Sequence, residues 1–160
     1  MKKFLFILFT LLSVSAFTFK AADVVFSIED DNLVSVPDNV IAAILSEKRI
    51  WDGLKDCSFA GKKLPLSKDT SASFYAVTTT EACGWGAASG PIWIIKVMED
   101  KVNIILSGSG NNLLIDKGIH DDMPDIVLDT ATAGHEDDSF WSFDKDHYKR
   151  IGSTSHPPGE

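Results

Sequence analysis

Cysteine is scarce in this chain: Cys57 and Cys83 are its only two. They do not form a C-x-x-C pair, and no histidine is marked out as the base for a catalytic thiol, so neither redox nor cysteine-nucleophile chemistry has a motif to stand on. Long apolar runs are equally few. The one from Phe4 to Leu12 falls well short of the roughly 20 residues that span a bilayer, and no later segment repeats it, so no membrane span is expected after it. Positive charge is outweighed, with 15 Lys+Arg against 23 Asp+Glu and a net charge of −8. With no basic patch to offset this, repulsion from a polyanion excludes nucleic acid as a natural partner. The phosphate loop G-x-x-x-x-G-K-[ST], the zinc motif H-E-x-x-H, the calcium loop D-x-[DN]-x-[DN]-G and the nucleophile elbow G-x-S-x-G are all missing. No motif names a reaction, a metal or a cofactor, and none of these is expected.

The first residues give an address. Lys2 and Lys3 form a basic start, Phe4–Leu12 a short apolar core, and Ser13, Ser15 and Ala16 a small-residue exit. That order is a secretory signal peptide over residues 1–16, with Val14-Ser15-Ala16 as the cleavage site and Ala21 or Ala22 as a later exit. A periplasmic or secreted protein follows. About 140 residues remain, enough for a single domain that needs no metal to fold. In an oxidising compartment the two cysteines read as one disulfide, Cys57–Cys83, whose loop closure contributes roughly 3–4 kcal/mol. Removing the leader takes away Lys2 and Lys3 and no acid, so the mature chain is more acidic still. Its natural partner is a basic protein or another polycationic surface.

Ser35-Val36-Pro37-Asp38 has the composition of a helix start, with Ser35 as cap and Pro37 in the first turn. Val40, Ile41, Ile44 and Leu45, extended by Ile50 and Trp51, then recur at helical spacing. This predicts one amphipathic helix of three or four turns ending near Gly53. After Cys57 the period becomes that of strands. Phe74–Thr78, Ile92–Val97, Val102–Leu106, Leu113–Ile115 and Asp125–Asp129 are rich in β formers. Ser107–Asn112 reads as a turn, and Phe140–Phe143 with Tyr148–Ile151 as a closing hairpin around Asp144–His147. The expected fold is α+β, an N-terminal amphipathic helix packed on an antiparallel meander of six or seven short strands. The domain is placed at residues 23–151, with a disordered tail at 152–160.

The loop Cys83–Pro91 is the leading candidate contact surface. Gly84, Gly86 and Gly90 make it irregular, and a bridge at Cys83 pins its base. Trp85 is an aromatic of the kind enriched in binding hot spots, and Gly84, Trp85, Gly86 and Ser89 are the residues assigned to it. Ser89 lies in Ala88-Ser89-Gly90, outside any elbow motif. Acids and histidines cluster at His120-Asp121-Asp122 with Asp125, at His135-Glu136-Asp137-Asp138, and at Asp144 with Asp146-His147. They are metal-ligand types without metal-ligand spacing, and charged turns between strands are ordinarily just solvated.

The order of leader, Pro-started helix, first Cys, Cys-Gly loop, paired hydrophobic strands, Pro-Asp-Ile-Val-Leu and a closing Phe-Asp-x-x-x-Tyr hairpin resembles small exported bacterial proteins of uncharacterised function. Some of these look like degenerate FG-GAP-type repeats, whose Asp-rich calcium loop is matched here by Leu66–Ser71 with one acid, Asp69. A looser likeness is to the Ivy-type periplasmic inhibitors of vertebrate lysozyme, on the strength of Cys83-Gly84 followed by an Ile-rich strand. The histidine beside the Cys-Gly pair and the short Cys-bounded loop of that family are absent. The resemblance implies an inhibitor of a lysozyme-like enzyme. Taken together, the expectation is an exported, non-enzymatic binding module, an inhibitor or immunity-type partner of a basic protein. The competing reading is a small secreted hydrolase using acids or His120, His135 or His147.

Overall fold

Strand β5 (Gly90–Met98) is apolar on both faces, and the fold explains why. Ile92 and Ile94 point into one hydrophobic cluster, while Trp93 and Ile95 point into another on the opposite side. Because successive strand residues alternate in direction, such a strand needs cover on both sides. The computed structural model describes residues 23–47, 52–68, 70–86, 89–99, 101–132 and 134–157, and in it that cover is a second sheet on one face and helical segments on the other.

Two antiparallel sheets carry the chain. Sheet I has the order β2 (Val34–Ser35), β3 (Phe59–Leu64), β4 (Ser73–Thr79), β5 and β6 (Lys101–Gly110). Sheet II has the order β1 (Asp23–Ser27), β7 (Asn112–His120), β8 (Met123–Ala131), β9 (Glu136–Asp144) and β10 (His147–His156). Phe26, Phe74, Ile94, Leu113, Ile126 and Phe143 meet between them in the main core. Helix α1 (Asp38–Leu45) and a 3₁₀ turn (Asp52–Asp56) cover the other face of sheet I, where Val40, Ile44 and Leu54 pack with Phe59, Val77, Trp93 and Ile95. Glu47, just past α1, accepts from the Trp93 indole at 3.3 Å and the Ser107 hydroxyl at 3.1 Å, which fastens the helix end to sheet I.

The α+β expectation is overturned. The described residues are mostly β, two five-stranded sheets with one short helix. An eight-residue helix is about 12 Å long, too little to bury a sheet face alone, and a second sheet covers the other side. Ser35 lies in β2 instead of capping the helix, and Pro37 occupies the cap position without a side-chain hydrogen bond. The helix stops at Leu45; the Ile50 and Trp51 extension of its stripe lies outside the described residues, as does the leader. The Ser107–Asn112 turn is also corrected. Strand β6 runs on through Gly110, and Asn111 alone carries the chain from sheet I to sheet II. This corner is tight: Asn111 donates to the Asp129 carbonyl at 2.7 Å, accepts from Ile28 N at 3.0 Å, and its side chain accepts from Ala131 N at 2.9 Å. A Cβ on Gly110 would lie 2.7 Å from the Asp129 carbonyl oxygen, so glycine is needed for the approach. The closing hairpin is where it was expected but longer. Strand β10 continues to His156, which corrects the tail expected to be disordered from Gly152; residues 158–160 lie outside the described part.

A bulge adjusts β6 to both cores. Ile94 faces Leu106 and Ile95 faces Ile104, so Ile105 is extra, and Ile105 and Leu106 both turn inward. Among the described residues no helix is long and apolar enough to cross a membrane.

Candidate functional site

The disulfide is formed. Cys57, just after the 3₁₀ turn, joins Cys83 in the β4–β5 connection with a Cα–Cα separation of 5.7 Å. Thr80 N donates to Ser58 O at 2.9 Å beside it. The turn that carries Cys83 closes through Cys83 N to Thr80 O at 3.0 Å, and its two central residues, Glu81 and Ala82, have φ of 55° and 54°. Such a turn ordinarily uses Asn and Gly, because a Cβ crowds the left-handed backbone. Here the bridge and the Thr79 hydroxyl, which donates to Cys83 O, hold the strained pair in place.

Gly84 and Gly86 are exposed, and Trp85 and Ser89 are half-buried. The loop folds back on itself, with Gly86 N donating to Ser89 O at 2.9 Å. Trp85 lies over Gly90: a Cβ there would come within 2.9 Å of the indole nitrogen. The indole N–H donates to the Thr79 hydroxyl at 3.0 Å, and the ring packs against the main core. Residues 87 and 88 lie outside the described part.

The acidic clusters resolve into separate pairs. The His120 Nδ1 lies 2.8 Å from an Asp125 carboxylate oxygen and the His147 Nδ1 2.6 Å from Asp146. His156 sits 3.9 Å from both Glu136 and Asp138. His135 serves its turn through its backbone, as Thr132 N donates to His135 O at 2.8 Å. Hydrogen bonding to Lys149 holds Asp144 below the usual carboxylate range, and bonding to His147 does the same for Asp146. Tyr148 is buried and donates to Pro124 O at 2.9 Å; burial first, then the Asp125 charge, pushes its phenol up. Two hairpin tips are tied together by Lys145 N donating to Asp121 at 2.8 Å. Among the described residues, no group of three or more His, Cys, Asp or Glu converges to hold a metal ion.

Sequence reasoning missed the outward face of sheet II. With Leu113, Ile126, Leu128 and Phe143 inward, the alternate residues face out. The register sets Val24 opposite Leu114, Leu114 opposite Val127, and Val127 opposite Phe140, giving an apolar row across four strands. Ile151, in the β10 bulge, extends it; Val24 is 57% and Ile151 64% exposed. On one side of the row Asp129 stands directly opposite Asp138, and Asn112 bonds to Asp129 at 3.0 Å. Desolvation is the largest effect on the Asp138 carboxyl and raises it; His156, the next largest, opposes this, and the smaller effects of the Asp129, Glu136 and Asp137 charges add to the rise. On the other side stand Asp125, whose carboxylate fills the space over Gly118, and Ser142 opposite Lys149. The signal was present in Leu113-Leu114-Ile115 and Ile126-Val127-Leu128. Three consecutive apolar residues in a strand put apolar surface on both faces.

Comparison with known protein families, curated proteins and solved structures found no match to this chain.

Proposed function

We propose that this protein is an exported, non-enzymatic binding module whose partner is a basic protein, in the manner of an inhibitor or immunity protein. The leader-like N-terminus, the Cys57–Cys83 bridge and the net charge of −8 support export and a cationic partner. The observation that carries the reading is the direct cross-strand opposition of Asp129 and Asp138 on a solvent-facing sheet. Like charges directly opposite each other destabilise a sheet, and departures of this kind from local consistency gather at functional sites. Lys or Arg side chains of a partner would relieve the repulsion on docking. Titration of the exported protein with a C-type lysozyme by calorimetry tests this. Saturable binding that weakens with salt and is lost on succinylating the lysozyme is the expected result; absence of binding to this and to a second basic protein, a pancreatic-type ribonuclease, would refute it.

The hydrolase reading keeps one specific support. Asp125 orients His120 through Nδ1, and His120 lines a cavity of about 380 Å³ together with Ser142 and Lys149. An imidazole fixed at one nitrogen and free at the other is the arrangement a general base needs. Turnover of ester or glycan substrates that disappears in His120→Ala would favour this reading over the first.

A further inference from the structure

The two sheets do not finish their faces alike. Sheet I is covered on both sides, by sheet II and by the helical segments, whereas the described residues leave the outward face of sheet II uncovered. On that face the row Val24, Leu114, Val127 and Phe140, prolonged by Ile151, runs from the β1 edge to the β10 edge. Val127 is only 7% exposed although it belongs to neither core cluster, and its direct cross-strand neighbours are the apolar Leu114 and Phe140. The row is therefore a packed apolar strip and not a set of scattered side chains. Contiguous apolar surface rimmed by polar groups marks an interaction site.

We infer that the outward face of sheet II is the docking surface of this protein, and that it takes a basic protein presenting an apolar patch flanked by Lys or Arg. This rests on the basic-partner reading and names the surface that serves it. Charge selects the occupant. Asp129 and Asp138 border the row on one side and Asp125 on the other, and burial already disfavours the Asp138 carboxylate. An uncharged apolar partner would desolvate these carboxylates further without replacing their water. A second copy docked face to face would bring a second set of the same carboxylates to the same rim, since such an interface buries the same patch from both subunits. Cations flanking an apolar patch satisfy the carboxylates and cover the row together. The nearby basic side chains of this chain are partly engaged: Lys149 pairs with Asp144, and His156 lies between Glu136 and Asp138.

The test is binding of a C-type lysozyme, with a pancreatic-type ribonuclease as second probe, to the exported wild type and to three variants. Val24→Lys combined with Ile151→Lys alters the two most exposed members of the row and should leave the thermal unfolding transition in place. Its affinity should fall at least tenfold, as should that of Asp129→Asn combined with Asp138→Asn, while Trp85→Ala binds within about threefold of wild type. Hydrogen exchange on the wild-type complex supplies a readout free of any folding defect, with slowed exchange expected in β8 and β9 and little change in residues 80–86. Unchanged affinity in the face variants, with loss in Trp85→Ala and protection at 80–86, would overturn the inference while leaving the basic-partner reading standing. Failure of wild type to bind either probe removes both. A concentration-dependent dimer abolished by the Val24→Lys and Ile151→Lys pair would assign the face to a second copy and overturn the inference as well.

Discussion

Replacing Trp85 with alanine separates two roles that one side chain can play. Its indole N–H donates to the Thr79 hydroxyl at 3.0 Å, its ring covers Gly90, and it packs at the edge of the main core. Truncating a fully buried Trp costs about 3–5 kcal/mol. Trp85 is half-buried, so the packing loss should be roughly half of that, and the hydrogen bond adds about 1 kcal/mol. The Thr79 hydroxyl keeps its bond to Cys83 O, so no fully orphaned group is left to raise the penalty. A loss of about 2.5–3.5 kcal/mol is expected from Trp85→Ala, and about 1 kcal/mol from Trp85→Phe, which keeps a ring and removes the donor. Guanidinium unfolding followed by far-UV circular dichroism measures both, with an unchanged m value expected because the denatured chain is hardly altered. A loss below about 0.5 kcal/mol for Trp85→Ala would refute the packing argument. Combined with weakened binding to lysozyme, it would return Trp85 to the role of projecting contact residue that its loop composition suggests.

Replacing both Cys57 and Cys83 with serine opens a closure of sequence separation 26 and should cost about 3.5 kcal/mol through the freedom returned to the unfolded chain; a loss under 1 kcal/mol would show that the β3–β4 pairing alone constrains this region. Gly110→Ala, which drives a Cβ toward the Asp129 carbonyl, should destabilise by about 1–3 kcal/mol, measured by thermal unfolding, and a neutral result would mean that the corner at Asn111 can widen. Ala82→Gly, at φ 54°, should stabilise by about 1 kcal/mol by relieving the left-handed backbone, and a loss of stability would argue against strain in that turn. The folded Asp138 carboxyl holds its proton above the ordinary value of 3.8, so its ionisation opposes folding. The penalty is absent below the unfolded pKa, grows as pH rises through the window up to the raised folded value, and is complete above it. Asp138→Asn should therefore be more stable than wild type by about 0.5 kcal/mol at pH 7, with the advantage fading as pH falls towards 4 and gone below it; urea unfolding across that range checks it, and a less stable variant at pH 7 would contradict it.

Local chemistry in the sequence determined a good deal. The pairing of Cys57 with Cys83 follows from their number and from the leader-like composition of residues 1–16. The β-branched runs at Phe74–Thr78, Ile92–Val97, Val102–Leu106 and Asp125–Asp129 all lie within strands, and the turn around Asp144–His147 closes the last hairpin. These signals are local, because strand periodicity and turn composition are properties of a few consecutive residues. The polar strands hid: Glu136-Asp137-Asp138-Ser139 opens β9 and Gly152–His156 closes β10, yet both have the composition of loops. Ser107–Gly110 reads as a turn for the same reason, although Gly110 is glycine to let β6 approach β8. Only the tertiary structure decided how the ten strands of the described residues divide between two sheets, that α1 covers just one of four sheet faces, and that Val24, Leu114, Val127 and Phe140 line up beside Asp129 and Asp138. The physical reason is that alternation tells which residues share a face of one strand. Which faces are buried and which stay open depends on pairings between segments far apart in the chain, such as Val24 with Leu114, and no window of the sequence contains both partners.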